Sequence, residues 1–266
     1  MENIKILVFD IDGTLIPRGS KEIEPSAKKA IDICRAKGLK VLVATGRCYY
    51  FVQDDVIEHF NSDYYVTING QCLVDKNENI TKKYTIKEEY MQRLTELCVK
   101  HNVALGYKFD TAIVTYHDYP NYLATYVNGV EHPKILFDGA DTKDYHLANG
   151  LPMGAFVIGD EADLDIVQAN VPELDWVKAY SRAREAFTKG INKSSTIEHV
   201  LNELGLTWEN AMSFGDADND VEMILKAKIG VAMGNASDSA KNAADYVTTD
   251  CGDDGVYNAL KHFELI

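Results

Sequence analysis

No apolar run in this 266-residue chain approaches the roughly 20 residues needed to span a bilayer. The start of the chain also lacks the basic stretch, apolar core and cleavage site of a secretory leader. Cysteine is sparse: Cys34, Cys48, Cys72, Cys98 and Cys251 are scattered and odd in number. No C-x-x-C pair occurs, which argues against a zinc ribbon and against a disulfide framework. Positive charge is short as well, with 27 Lys and Arg against 41 Asp and Glu and a net charge of −14. A nucleic-acid binder needs a basic face, so no nucleic-acid partner is expected. A small phosphorylated ligand stays open, because a bound divalent cation inverts the local field. Low-complexity tracts and internal repeats are missing too. These absences predict a soluble protein of the reducing cytoplasm with no membrane partner. The chain is long enough for one large domain or two moderate ones; its oligomeric state is left open.

What is there begins with Ile4–Leu15, IKILVFDIDGTL. Ile4 to Phe9 is apolar except for Lys5, short and β-branched, the pattern of a strand buried on both faces. Asp10 and Asp12 follow two residues apart, and then Gly13-Thr14. In an open parallel sheet, ligands bind outside the carboxyl ends of the strands. A strand ending at Phe9 therefore sends both acids to that edge, where glycine permits a sharp turn. An Asx-turn would explain one acid; D-x-D-G-T fixes four positions, with a chance of roughly 10⁻⁵ per starting position at ordinary residue usage.

The pattern then repeats. Ile23–Lys37 reads as a helix, with Pro25 in its first turn and Gly38 just past its end. Leu39–Ala44 is a second buried strand, ending in Thr45-Gly46-Arg47. Tyr49–Phe60 is predicted helical, and Tyr64–Ile68 is a third strand, ending in Asn69-Gly70. A β-α-β-α-β order with short connections predicts a parallel sheet with right-handed crossovers. From about Thr85 the texture changes to hairpins interleaved with helices: Lys87–His101 helical, Val103–Phe109 with Ala112–Tyr116 a hairpin, Met153–Ile158 a strand, Glu161–Asn170 a helix, then short strands at Trp176–Tyr180 and Glu185–Thr188. Tyr116, Tyr119, Tyr122, Tyr126 and Phe137 read as its core, with a substrate cage the alternative. The first pattern resumes with a helix at Asn192–Leu204, a strand at Ala211–Phe214 ending in G-D-A-D-N-D (Gly215–Asp220), a helix at Val221–Lys226, a strand at Ile229–Met233, a helix from Ser237 and a short strand at Tyr246–Thr248. The fold class is α/β: a Rossmann-like parallel-sheet core, residues 1–83 and 190–266, with an α+β unit inserted at 84–189.

Three strand ends and one helix start thus offer Asp10 with Asp12, Thr45-Gly46, Asp216 with Asp220, and Lys193 to one sheet edge. A turn alone would explain Thr45-Gly46, and a surface position would explain Lys193. Three carboxylates in six residues exceed what a helix cap needs, and their mutual repulsion is what a metal ion removes.

This set resembles the four motifs of the haloacid dehalogenase superfamily of phosphatases. The motifs are D-x-D-G-T-L at Asp10–Leu15, a threonine after the second strand, a lysine beginning a helix beyond an insertion, and G-D-x-x-N-D at Gly215–Asp220. The long insertion, A-T-G-R at Ala44–Arg47 and M-G-N-A at Met233–Ala236 resemble its Cof-type subfamily (IIB), whose insertion is a C2-type cap. K-G-I-N-K-S-S offers both Lys189 and Lys193; the place at a helix start favours Lys193. The resemblance implies Asp10 as nucleophile and Asp12 as general acid and base. It implies Thr45, Gly46, Lys193 and Asn219 around the phosphoryl group. Arg47 and Asn69, on neighbouring loops, are candidates for substrate contact, with a plain surface role the alternative for each. Mg²⁺ would be held by Asp10, the Asp12 carbonyl and Asp216, with Asp220 either a ligand or an orienting group. The expected activity is hydrolysis of a small phosphomonoester, a sugar phosphate foremost, in the cytoplasm. Flavin mononucleotide or pyridoxal phosphate as substrate, a phosphosugar mutase and a non-catalytic phosphometabolite sensor are the alternatives.

Overall fold

The computed structural model describes residues 3–60 and 62–266. The chain divides into two compact units: Met1–Lys82 together with Asn192–Ile266, and Lys83–Ile191. In chain order the first seven elements are β1 (Ile6–Phe9), α1 (Pro25–Ala36), β2 (Lys40–Ala44), α2 (Asp54–Phe60), β3 (Tyr64–Thr67), β4 (Cys72–Asp75) and β5 (Ile80–Lys83). Then come α3 (Glu88–Lys100), β6 (Ala104–Lys108), β7 (Ile113–His117), α4 (Tyr119–Tyr126), β8 (Leu136–Asp138), α5 (Tyr145–Asn149), β9 (Gly154–Ile158), α6 (Glu161–Ala169), β10 (Leu174–Tyr180) and β11 (Ala183–Thr188). The chain closes with α7 (Lys193–Glu203), β12 (Ala211–Gly215), α8 (Val221–Lys226), β13 (Ile229–Ala232), α9 (Asp238–Ala243), β14 (Tyr246–Val247) and α10 (Gly255–His262).

The first unit is built on the sheet β14-β13-β12-β1-β2-β3-β4-β5. It is parallel from β14 to β3, and β4 runs antiparallel to β3. The strands nearest the middle are buried because helices cover both faces, which is why they read as unbroken apolar runs. On one face Ile6, Val8, Leu42, Ala44 and Val66 pack against Ile197, Val200 and Leu201 of α7. Register sets the strand ends level: Phe9 lies beside Phe214 on one side and Val43 on the other. The Phe9 and Phe214 rings stack at 4.7 Å. The residues that follow, Asp10, Gly215-Asp216 and Ala44-Thr45, therefore leave the sheet at one edge.

The second unit is a six-stranded sheet, β10-β11-β9-β6-β7-β8. Its pairs are antiparallel except β7 with β8. Alternate residues Leu105, Tyr107 and Phe109 point into a core closed by Met91, Leu94 and Cys98 of α3 and by Leu164 and Val167 of α6. Tyr116 lies in this core, with its ring edge-on to Tyr107 at 5.0 Å. Tyr122 is also fully buried.

Three departures from the sequence expectation have local causes. Tyr49–Phe60 is not one helix: a 3₁₀ turn at Tyr49–Phe51 ends where Val52 becomes extended, and α2 starts only at Asp54. Aromatic residues and β-branched Val52 are weak helix formers, so the turn at Tyr49–Phe51 does not propagate, whereas Asp54 and Asp55 suit the positive end of a helix. The β4–β5 extension, read as unassigned chain, lies at the sheet's edge, and β5 alternates half-buried and exposed residues. The C-terminal α10 carries its apolar side on Val256, Ala259 and Leu260, a spacing the sequence reading passed over. Among the described residues no helix is long and apolar enough to cross a membrane.

Candidate active site

Asp10 continues β1 by one residue, its N–H donating to the Phe214 carbonyl at 3.1 Å. The chain then turns within Ile11–Ile16. Gly13 sits at φ +90°, and a Cβ there would fall 2.2 Å from the Asp216 Oδ2. Both the backbone angle and the space demand glycine. Gly70 does the same below β3: at φ +98°, its Cβ would strike the Asn192 carbonyl at 2.1 Å. That close approach brings the start of α7 against the Asn69-Gly70 turn, and Thr196 Oγ1 donates to the Gly70 carbonyl at 2.7 Å.

Asn192 caps α7 with a reciprocal pair: its side chain accepts from the Ser195 N–H at 2.9 Å, and its own N–H donates to Ser195 Oγ at 3.1 Å. Lys193 is thereby fixed in the first helical turn, where the dipole disfavours a cation. Two carboxylates offset this. Lys193 Nζ donates to Asp10 Oδ1 at 2.6 Å and to Asp220 Oδ1 at 2.8 Å, and the lysine is only 1% exposed. Asp220 uses its other oxygen to accept from the Asp216 and Ala217 N–H groups, both at 3.1 Å. It is thus a fully engaged strut of the loop as well as a partner of Lys193.

Asp10, Asp216 and Asp220 each offer a carboxylate oxygen within 4.8 Å of the other two. Burial, opposed by Lys193 and reinforced by Asp220 and Asp216, pushes the Asp10 carboxyl up to about 8. Burial and then Asp220 push Asp216 up to about 6, against the pull of Arg18. Burial would lower Lys193, but Asp10 and Asp220 hold it above the usual lysine value. Burial is the leading cause of both raised acids, and the mutual repulsion of three carboxylates gathered around one buried lysine adds to it. Asp216 Oδ1 is buried and has no hydrogen-bond partner. An all-oxygen set with an orphaned carboxylate oxygen fits a hard divalent cation such as Mg²⁺. Asp10 and Asp216 are its most available side-chain donors, since Asp220 already accepts three bonds.

Asp12 stands apart from this cluster. Its carboxylate is held in a fork by Arg47, Nε to Oδ2 at 2.6 Å and Nη2 to Oδ1 at 2.8 Å, with Gln53 Nε2 at 3.5 Å. Arg47 also donates to the Phe51 carbonyl at 3.1 Å. The Thr45 carbonyl accepts from the Asn69 N–H at 3.0 Å, and Thr45 Oγ1 accepts from the Arg47 N–H at 3.1 Å. Asn69, buried at a positive φ of 52°, accepts from Asn219 Nδ2 at 2.8 Å. A Cβ on Gly46 would meet that same Asn69 side chain at 3.2 Å, so Gly46, Asn69 and Asn219 adjoin. Lys189, the rival lysine, is exposed and donates to the Pro172 carbonyl at 3.2 Å. Three residues at this edge escaped the sequence reading: Gln53 and Arg18, whose guanidinium donates to Asp216 Oδ2 at 3.2 Å, and Asn235. Arg18 and Gln53 belong to no recognised pattern; Asn235 lies in M-G-N-A, noticed only as a likeness.

Residues 7–260 match the haloacid dehalogenase-like hydrolase family. The chain is 30% identical over 272 residues to the 5-amino-6-(5-phospho-D-ribitylamino)uracil phosphatase YcsE of Bacillus subtilis, covering 99% of this chain and 97% of that one. It is 26% identical over 265 residues to a phosphoglycolate phosphatase of Methanobrevibacter smithii, covering 99% and 100%. Its fold superposes on the subclass IIB sugar phosphatase BT4131 with a TM-score of 0.85 at 29% identity, over 98% of this chain and 100% of the other. With an acid-lined edge of this geometry and these relatives, the chain belongs to the haloacid dehalogenase-like hydrolases, as a Cof-type phosphatase of subclass IIB.

Proposed function

We propose that this phosphatase is Mg²⁺-dependent and hydrolyses a small phosphomonoester, a sugar phosphate foremost, through an aspartyl-phosphate on Asp10. One observation carries the reading. A buried Lys193 is shared between Asp10 and Asp220, beside an Asp216 oxygen that lacks any hydrogen-bond partner. Phosphoryl transfer asks a protein for position and charge compensation above all.

Asp10 attacks phosphorus, forming the Asp10 Oδ–P bond as the bond to the leaving oxygen breaks. Asp12 gives its proton to that oxygen, then takes one from the water that attacks phosphorus and frees Asp10 and phosphate. Lys193 holds Asp10 in place and draws charge from the phosphoryl oxygens, with the Thr45 hydroxyl and Gly46 N–H as further donors. Asn219 lies on the same rim. Arg47 steadies Asp12 and, with Asn69, flanks the substrate. Mg²⁺, held by Asp10, Asp216 and the Asp12 carbonyl, would supply the positive charge that lets an anionic nucleophile approach an anionic ester. The Lys83–Ile191 unit serves as the cap that selects substrate. The choice of a sugar phosphate draws on likeness to BT4131, and YcsE is likewise named for a phosphorylated ribityl group.

The test is release of free phosphate from a panel of sugar phosphates, phosphoglycolate, flavin mononucleotide and pyridoxal phosphate, with Mg²⁺ and with chelator. Release that needs both the metal and Asp10 is the expected result. Turnover that survives chelation or Asp10→Asn overturns the mechanism, and a preference for a non-sugar ester overturns the substrate class.

A further inference from the structure

The Met233–Ala236 turn takes no part in the reaction just described, yet its asparagine is bonded to three separate stretches of chain. Asn235 Oδ1 accepts from the Cys251 N–H at 2.7 Å. Its Nδ2 donates to the Gly13 carbonyl at 2.9 Å and to Asp216 Oδ2 at 3.3 Å. A backbone N–H can only donate and a carbonyl can only accept, so the amide has a single orientation. The neighbourhood holds it there: the Ser237 N–H donates to the Asp216 carbonyl at 2.8 Å, and Cys251 Sγ donates to the Thr14 carbonyl at 3.1 Å.

The two oxygens of a carboxylate exchange by rotation about a broad χ2 torsion. A donor fixed on one of them removes that freedom. At Asp216 the donors fall on Oδ2, from Asn235 and Arg18, while Oδ1 is the buried oxygen without a partner. Asn235 binds the D-x-D-G-T turn through Gly13 with the same NH₂ group. It thereby couples the two loops that carry Asp10 and Asp216, although Gly13 and Asn235 lie 222 positions apart.

We propose that Asn235 is a positioning residue for the divalent cation. It holds Asp216 in the rotamer that offers Oδ1 and sets the distance between the two metal-bearing loops. This rests on the metal reading given above. Outer partners of this kind are worth about 10- to 100-fold in metal affinity.

The experiment is a calorimetric titration of substrate-free protein with Mg²⁺ and with Mn²⁺, for the parent, Asn235→Ala and Cys251→Ala. Cys251→Ala removes the Sγ bond to the Thr14 carbonyl of the Asp10 loop, keeps the N–H that Asn235 accepts from, and takes no donor from Asp216. Asn235→Ala is expected to bind about 10- to 100-fold more weakly, while Cys251→Ala stays within about twofold. In turnover assays the half-saturating Mg²⁺ concentration should rise by the same factor for Asn235→Ala, with kcat at saturating metal nearly unchanged. Affinity within twofold of the parent for a folded Asn235→Ala overturns the inference. So does an equal loss in Cys251→Ala, which would make the turn's packing responsible. A parent that takes up no metal overturns the metal reading itself, and this inference with it.

Discussion

Asp10 and Asp12 are two residues apart, and each is paired with a cation, yet the pairs are opposites. The Asp10 side chain is 9% exposed and its Lys193 partner 1%. The Asp12 side chain is 48% exposed and its Arg47 partner 36%. One turn of chain thus sends one acid into the protein and the other into water. Lys193 cannot leave without stranding buried carboxylates, a loss of several kcal/mol. A solvent-exposed pair such as Arg47 with Asp12 is worth about 0–1 kcal/mol and is easily remade. The contrast suits the division of labour proposed above, in which Asp10 as nucleophile stays fixed and Asp12 as proton carrier moves.

The strongest way to break that comparison is to remove charge at its buried member. Asp10→Asn should reduce phosphate release by on the order of 10⁴-fold or more with the fold retained by circular dichroism; substantial residual turnover would sink its role as nucleophile. Lys193→Ala should lose about 3–5 kcal/mol in urea unfolding under chelator, and less with Mg²⁺ present, since an added cation relieves the acids. At the exposed member the same operation should separate stability from activity. Arg47→Ala should change unfolding free energy by less than about 1 kcal/mol while slowing turnover. A double-mutant cycle with Asp12→Asn should then show the two losses to be non-additive; additive losses would mean that Arg47 does not act through Asp12.

The smallest effect belongs to a pair of intermediate burial. Asp55 accepts from Lys28 Nζ at 2.6 Å and from the Ile23 N–H at 2.8 Å. Burial tends to raise its carboxyl, but Lys28 and the Ile23 N–H outweigh it and hold the group below its ordinary value. A depressed carboxylate stabilises the fold above its unfolded pKa, and that stabilisation is lost as pH falls through the folded value. Asp55→Asn should therefore cost about 0.5–1 kcal/mol at neutral pH and progressively less as the pH falls below the ordinary carboxylate range, read from urea midpoints; a cost that stays undiminished in acid would point to packing instead.

Much of the parallel sheet was legible because buried strands leave no choice of residue: β1, β2, β3, β12 and β13 are short apolar runs with polar ends. The β4–β5 edge was not, since a strand that buries little has little pattern to show. The break at Val52 was missed because apolar spacing alone does not tell a 3₁₀ turn from the helix beyond it. At the site, residue types at strand ends and at one helix start pointed to Asp10, Asp216, Asp220 and Lys193; strand register brings the loops of the three acids to one edge, and the close approach at Gly70 brings the start of α7 to it. Their partnerships were not legible. D-x-D spacing does not say that Asp12 turns to Arg47, nor that Asn69 meets Asn219 across 150 positions. Such pairings depend on how loops fold over one another, and Gly13 and Gly70 govern that through space rather than through sequence periodicity.

The pair at the centre of the site also has a consequence in time. Asp10 and Lys193 are separated by 183 positions. During synthesis at about 5–20 residues per second, Asp10 therefore waits roughly 10–40 s for its lysine to be made. Over that interval β1 has β2 on one side and bare backbone on the other, because β12 does not yet exist. A translation pause after the insertion would lengthen the vulnerable period, and a circular permutant beginning at Asn192 would abolish it. The core of this enzyme can close only after the C-terminal segment that carries Lys193 and β12 has been made.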